Sequence, residues 1–166
     1  MKSIKSIIFS ILLTISAIGQ IILSFLLYNE DGISILRNIG WIVLWISAIF
    51  GWVPIYTFKK WGGVQKGNSY IKTTILVDRG IYSIVRHPQY LAGILISISL
   101  PLIAQNWIVL VLGIISILIH YFDTFEEEKA ALEQFGEQYK GYMELVPRVN
   151  FIIGIIRLFW KKKYGF

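Results

Sequence analysis

The sequence contains no cysteine among its 166 residues. That absence excludes disulfide bridges, thiolate zinc sites and cysteine nucleophiles. Charged residues are also scarce, at 16% of the chain, where soluble domains carry roughly 25%. Because hydrophobic residues make up 55% and gather in long runs, the composition indicates an all-α integral membrane protein and argues against a soluble domain.

Four apolar stretches have lengths close to that of a membrane span. They cover residues 7–28, 38–58, 90–105 and 106–125. A transmembrane helix needs about 20 residues, within a range of about 17–25, so the first two stretches qualify and the last two are marginal. Since only the short joint Ala104-Gln105-Asn106 separates the last two, we expect a tight antiparallel helical hairpin there. The length allows a single domain over residues 1–166.

Both ends of the chain carry basic clusters beside apolar segments. Lys2 and Lys5 precede the first run, as in a signal peptide. Its apolar core exceeds the usual length of about 7–15 residues and no clear cleavage site follows, so we expect an uncleaved helix. Near the other end, residues 151–160 are too short to span and lead into three lysines at 161–163, which predicts an interfacial helix.

The basic residues also predict a topology. With four spans, 15 of the 16 lysines and arginines fall on one side, and only Arg37 lies in the opposite loop. The positive-inside rule makes that side cytoplasmic, together with both termini and both polar regions. In a soluble chain the net charge of +6 would suggest nucleic acid; here its placement favours a lipid bilayer and no nucleic-acid partner. The lack of cysteine and the isoleucine-rich composition favour a prokaryotic cell membrane.

Small and weakly polar residues recur along the first span. Ser16, Gln20 and Ser24 follow one another at intervals of four, so they share one face of a helix. In lipid such a stripe usually marks helix–helix packing, which is the role we expect for it.

The first polar region ends in Arg86-His87-Pro88-Gln89-Tyr90. The helical conformation is disfavoured for the residue before a proline, whereas proline itself suits the first turn of a helix. We therefore expect His87 to be extended and Pro88 to begin the third span. The amides at that helix start, together with Arg86, can bind an anion. The alternative is a membrane-surface cap whose arginine contacts lipid headgroups.

The second polar region runs from Glu126 to Arg148. His120, Asp123 and Glu127 share one helical face, a pattern that can ligate a metal. We expect no metal, because acidic residues at the end of a span are often simply solvated. Phe135-Gly136 is expected to end a short amphipathic helix, since glycine commonly stops helices. The alternative is an amphipathic linker on the membrane surface.

Two motifs in these regions carry a resemblance to known proteins. Residues 76–90 follow the pattern L-V-x-x-G-x-Y-x-x-V-R-H-P-x-Y, and Gly93 comes shortly afterwards. The second motif consists of Glu127-Glu128, Phe135-Gly136, Tyr139, Tyr142 and Val146-Pro147-Arg148. Over about residues 72–150 the chain therefore resembles the isoprenylcysteine carboxyl methyltransferase and phospholipid methyltransferase superfamily.

The resemblance implies S-adenosyl-L-methionine as methyl donor, bound at the cytosolic membrane face. Carried over by position, the residues that contact the donor are Leu76, Val77, Tyr82, His87, Pro88, Gln89, Tyr90 and Glu127. Nothing in the chain resembles a Gly-x-Gly donor site, which argues against the soluble methyltransferase fold. The candidates for taking a proton from the acceptor are Glu127, Glu128 and Asp123, and the choice among them stays open.

The resemblance implies a lipophilic acceptor: an amine lipid, a prenylcysteine carboxylate or another small isoprenoid or lipid. Members that methylate a carboxylate are expected to carry an arginine one turn before the first glutamate, where this chain has Asp123. An anion there favours a cationic or neutral nucleophile. Arg148 and Tyr142 are further candidates for contacting the acceptor, and Arg148 could still supply a cation. Ala131 is a smaller departure, because the family often has leucine there.

Two other functions compete with methyl transfer. Membrane reductases of the sterol-reductase type have a similar R-H-P-x-Y turn and use NADPH. A non-enzymatic, lipid-binding membrane scaffold would place the tyrosines and basic residues at the membrane interface. The V-P-R ending and the Phe135-Gly136 helix end favour the methyltransferases.

Overall fold

The computed structural model describes residues 4–64, 67, 69 and 73–164. These residues form helices α1 (Ile4–Leu26), α2 (Ser34–Trp61), α3 (Pro88–Ala104), α4 (Trp107–Phe135), α5 (Glu137–Leu145) and α6 (Phe151–Tyr164). A 3₁₀ turn at Gly80–Ser83 precedes α3, and the described residues contain no strand. The predicted all-α class is confirmed. Lys2, Lys66 and Lys72, which entered the charge count, lie outside the described residues.

The helices have the lengths of an integral membrane protein. Three are long and apolar enough to cross a bilayer, namely Ile7–Leu26 within α1, α2 and α4. The 17 residues of α3 lie at the lower end of spanning length, as expected for the short third span. At 1.5 Å per residue α4 extends roughly 43 Å, which exceeds a hydrocarbon layer of about 30 Å. Helix α4 is therefore long enough for its acidic C-terminal end to project beyond the hydrocarbon layer.

Helix α4 also corrects a prediction. The sequence suggested a span ending near residue 125, followed by a separate amphipathic helix, but α4 runs without a break from Trp107 to Phe135. No glycine or proline interrupts residues 114–135, and the charged residues that follow the apolar part are good helix formers. Gly136, with φ of 55°, ends the helix at the predicted position.

The first compact unit comprises the chain up to Ile49 together with Leu91–Asp123. The Gln20 side chain donates hydrogen bonds to the carbonyl oxygens of Ser97, at 2.9 Å, and Val109, at 3.3 Å. The hydroxyl groups of Ser16 and Ser116 lie 2.9 Å apart. The polar stripe of α1 therefore packs against α3 and α4, which confirms its predicted role.

The predicted hairpin lies within the same unit. Gln105 and Asn106 alone separate α3 from α4, and Gln105 has a left-handed φ of 50°. Ser97 and Gly113 stand eight residues on either side of Gln105, and a Cβ added to Gly113 would lie 2.5 Å from the Ser97 carbonyl oxygen. The two helices therefore pack closely against each other in antiparallel directions, and the predicted hairpin is confirmed.

The second compact unit comprises Phe50–Tyr90 and the chain from Thr124 onward. Its core is a cluster of Tyr139, Tyr142 and Val146, with Leu76, Ala131, Leu132, Phe135 and Met143 packed against it. Both Ala131 and its neighbour Leu132 therefore reach this cluster. Helix α6 contacts the chain before α3 through Gly154, since a Cβ there would overlap the carbonyl oxygen of Ile84.

Substituting Gly154 by alanine is expected to displace α6. The added methyl group would meet a backbone carbonyl, which cannot rotate away, and overpacking of this kind costs about 1–3 kcal/mol. The matched control is Gly141→Ala on α5, where an added Cβ meets no atom within 4 Å and helix propensity improves by about 1 kcal/mol. Thermal unfolding in detergent should show a lower midpoint for Gly154→Ala and an unchanged or higher one for Gly141→Ala. Equal midpoints in the two variants would contradict this packing.

Candidate active site

Backbone hydrogen bonds join the two sequence motifs. The amide of Arg86 donates to the carbonyl of Pro147 at 3.0 Å, and the amide of His87 donates to the carbonyl of Arg148 at 3.1 Å. Helix α3 begins at Pro88, as predicted, so His87 lies outside it. The R-H-P turn and the V-P-R segment are therefore held together by main-chain atoms, so their side chains meet at fixed positions.

Three of these side chains, Arg86, His87 and Arg148, surround Glu128 of α4. We call the four residues the Glu128 network. The Glu128 carboxylate is 5% exposed and lies 2.8 Å from an Nη atom of Arg86. It also accepts hydrogen bonds from Nε of Arg148 at 3.0 Å and, through its second oxygen, from an Nη atom of the same guanidinium. Nε2 of His87 lies 3.2 Å from the first oxygen. Two cations thus compensate one buried anion. Without them, the burial of this carboxylate would be strongly unfavourable.

Both arginines of the network have further contacts that fix them. Arg86, whose side chain is 8% exposed, also donates to the carbonyl of Met143. The guanidinium carbon of Arg148 lies 3.7 Å from the ring centroid of Phe125, at cation–π distance. The anion that the structure sets beside Arg86 is thus the chain's own Glu128. The sequence analysis named Arg86 as part of an anion site, but it did not identify Glu128 as the anion.

Glu127 differs sharply from its neighbour. Its side chain is 50% exposed, and one carboxylate oxygen lies 4.0 Å from Nδ1 of His87. Consecutive residues on a helix point about 100° apart, which explains how one glutamate enters the network while the other faces outward. His87 therefore has a buried carboxylate at one ring nitrogen and an accessible carboxylate near the other.

Aromatic side chains fix the segment between the 3₁₀ turn and α3. The Tyr142 hydroxyl donates to the carbonyl of Tyr82 at 2.6 Å, and the Tyr82 ring stacks on Phe58 with centroids 4.5 Å apart. The Tyr90 ring meets His87 edge-on at 5.8 Å. Burial raises the pKa of both Tyr139 and Tyr142 above the usual range, so these phenols act as neutral donors.

The other predicted site residues differ in their exposure. Val77 and Pro88 are buried, while Leu76, Gln89 and Tyr90 are half-buried. Asp123 is half-buried on α4, four residues before Glu127, and belongs to the first compact unit; its role stays a prediction. In the part of the chain that the structure describes, no three His, Asp or Glu side chains are placed to hold a metal ion.

Comparisons with known proteins identify the family. Neither a curated protein nor a solved structure matches this chain. The model of the phospholipid methyltransferase family matches residues 36–138, a segment that contains the R-H-P turn and both glutamates but ends before Arg148. Because the match covers more than half of the sequence, the chain belongs to the phospholipid methyltransferase family.

Proposed function

We propose that this protein transfers a methyl group from S-adenosyl-L-methionine to an amine lipid at the cytosolic membrane face. The observation that carries the proposal is the accessible Glu127 carboxylate beside His87, at the place where the two motifs are joined. Family membership supports methyl transfer to a lipid. The donor, the acceptor and the sidedness are our inference, as are the cytoplasmic termini and the cell membrane location.

The chemistry of the side chains suits this donor. A half-exposed carboxylate, Glu127, can accept hydrogen bonds from an ammonium group and attract a nearby sulfonium. The N-terminus of α3, which begins at Pro88, favours a carboxylate. Half-buried Leu76 and Tyr90 offer apolar surface for a base and ribose. When bound, the donor supplies an electrophilic methyl group.

The Glu128 network then has a positioning role. Because Glu128 is bonded to two guanidinium groups and lies beside His87, it is poorly suited to receive a proton from a substrate. Its contacts instead fix the His87 ring and the start of α3. Methyl transfer depends strongly on alignment of the reacting atoms, so a rigid support under His87 and Glu127 serves the reaction directly.

The same geometry bears on the acceptor. Arg148 binds Glu128 and lies over Phe125, so its guanidinium is already engaged and is a poor partner for a substrate carboxylate. Asp123 occupies the position where carboxylate-methylating relatives are expected to have arginine. Both features favour an amine, which must lose a proton before or during the transfer. Glu127, being exposed, is our candidate for receiving that proton.

Calorimetric titration of the detergent-purified protein tests the proposal. We expect saturable binding of S-adenosylhomocysteine and none of NADPH in a parallel cell, with strongly reduced affinity in His87→Ala. Binding of NADPH alone would assign the chain to reductase chemistry. Binding of neither ligand by demonstrably folded protein would favour the lipid-binding scaffold. Radiolabelled methyl transfer to phosphatidylethanolamine, compared with a prenylcysteine acceptor, then tests the amine class.

A further inference from the structure

A cavity of about 330 Å³ lies in the second compact unit, between the segment before α3 and helices α5 and α6. Its walls include Asp78, Tyr142, Leu145, Arg157, Leu158 and Lys161. We call it the α6 cavity. Its volume lies at the lower end of the range for small-ligand sites, about 300–1,000 Å³. The wall also contains Leu76 and Tyr142 of the two motifs, but neither Arg157 nor Lys161 belongs to the motifs on which the proposed function depends.

Arg157 is held in place and keeps hydrogen-bonding capacity. One of its Nη atoms donates to the carbonyl of Ser83, another residue of the cavity wall, and this contact orients the guanidinium. Its Nε is buried and has no hydrogen-bond partner among the described residues. A buried donor without a partner is costly, so a ligand that supplies an oxygen atom at this place would remove that cost. Gly154, one turn earlier, lets α6 pack closely against Ile84, and this contact fixes the distance between α6 and the segment before α3.

The charge of the α6 cavity favours an anion. Lys161 follows Arg157 by four residues, so both lie on the same face of α6. The carboxylate of Asp78 opposes them but lies 3.6 Å from Nε of its neighbour Arg79, which compensates it. The local balance is therefore positive. S-adenosyl-L-methionine carries a sulfonium and an ammonium against one carboxylate, so its net positive charge makes it a poor occupant.

The surroundings favour a lipid source for that anion. Ile152, Ile156, Phe159 and Trp160 are exposed on α6, and an exposed apolar face followed by lysines is typical of a helix lying in a membrane interface. Arg157 and Lys161 then lie at the depth of lipid headgroups, and Leu145 and Leu158 of the wall offer apolar surface to the adjoining acyl chains. We propose that the α6 cavity binds the phosphate group of an anionic phospholipid through Arg157 and Lys161.

Native mass spectrometry of the full-length protein in detergent tests this binding without reference to methyl transfer. The probes are phosphatidylglycerol, which has a net negative charge, and phosphatidylcholine, which carries the same phosphate but is zwitterionic and has no net charge. We expect retention of phosphatidylglycerol in preference to phosphatidylcholine. Arg157→Gln should weaken it about tenfold and Lys161→Gln about fivefold. Because Lys161 is exposed, its substitution should leave the fold intact even if Arg157→Gln does not.

The matched control is Lys162→Gln, which removes the same charge at the next position of α6 without touching a residue of the cavity wall. Retention of phosphatidylglycerol by this variant, with loss in Lys161→Gln, would support the site. Equal weakening in both variants would show diffuse attraction and overturn it. Displacement of the lipid by millimolar inorganic phosphate would assign the cavity to a free anion, and loss of S-adenosylhomocysteine binding in Lys161→Gln with unchanged lipid binding would assign it to the donor. Either result would also overturn the proposal.

Discussion

Replacing Glu128 by glutamine is expected to destabilise the protein strongly. The substitution leaves the side chains of Arg86 and Arg148, which are 8% and 20% exposed, without their shared counter-charge. Breaking a buried ion pair by removing one partner typically costs about 3–5 kcal/mol. The glutamine amide would also place N–H donors beside two guanidinium groups, which have no acceptor to offer them.

Thermal unfolding in detergent measures this effect, and Glu127→Gln is the matched control. It makes the same chemical change one residue earlier, on a half-exposed side chain, where surface substitutions usually change stability by no more than about 0.5 kcal/mol. The unfolding midpoint should fall strongly for Glu128→Gln and hardly at all for Glu127→Gln. Similar midpoints in the two variants would refute the assignment of Glu128 to a buried network.

A double-mutant cycle makes the test independent of general fragility. Arg148→Gln combined with Glu128→Gln removes one cation along with the anion, so the double variant should be less destabilised than the sum of the two single changes. Residues that share a hydrogen-bonded network typically couple by about 0.5–3 kcal/mol. Additive effects would mean that the two side chains stabilise the fold separately.

Local chemistry explains which parts of the fold were predictable. The start of α3 at Pro88 and the end of α4 before Gly136 follow from the conformational limits of proline and glycine, which do not depend on the rest of the chain. The polar stripe of α1 was equally readable, because Gln20 has few ways to satisfy its amide in an apolar layer other than contact with another helix. These predictions needed only spacing and residue type.

The division of labour between Glu127 and Glu128 could not be predicted in the same way. Both glutamates are charged, adjacent and on the same helix, so the sequence offers no reason to bury one of them. Glu128 is the buried one because Arg86 and Arg148 both contact it. Main-chain hydrogen bonds between residues 86–87 and residues 147–148 bring these two arginines together. Arg157 is a similar case: it interrupts an apolar segment in the sequence, and only the fold reveals its contact with Ser83.

Glu127→Gln is expected to weaken donor binding by about one to two orders of magnitude while leaving the fold unchanged. Its carboxylate is accessible and has His87 as its ion-pair partner among the described residues, so a cationic ligand can approach it without displacing an arginine. Hydrogen bonds to charged groups contribute about 1.5–3 kcal/mol, which corresponds to a loss of affinity of about 10- to 100-fold. Calorimetry with S-adenosylhomocysteine, which retains the donor's ammonium group, measures this loss.

Glu126→Gln completes the design, because Glu126 is exposed on α4 and immediately precedes Glu127. If affinity falls equally in both variants, the effect is one of general surface charge and Glu127 is not a donor ligand. A second outcome would reassign Glu127 rather than dismiss it: unchanged donor affinity with lost turnover is the signature of a group that acts only in the reaction, as a proton acceptor would. The titration and a turnover assay together therefore separate a residue that holds the donor from one that acts only on the acceptor.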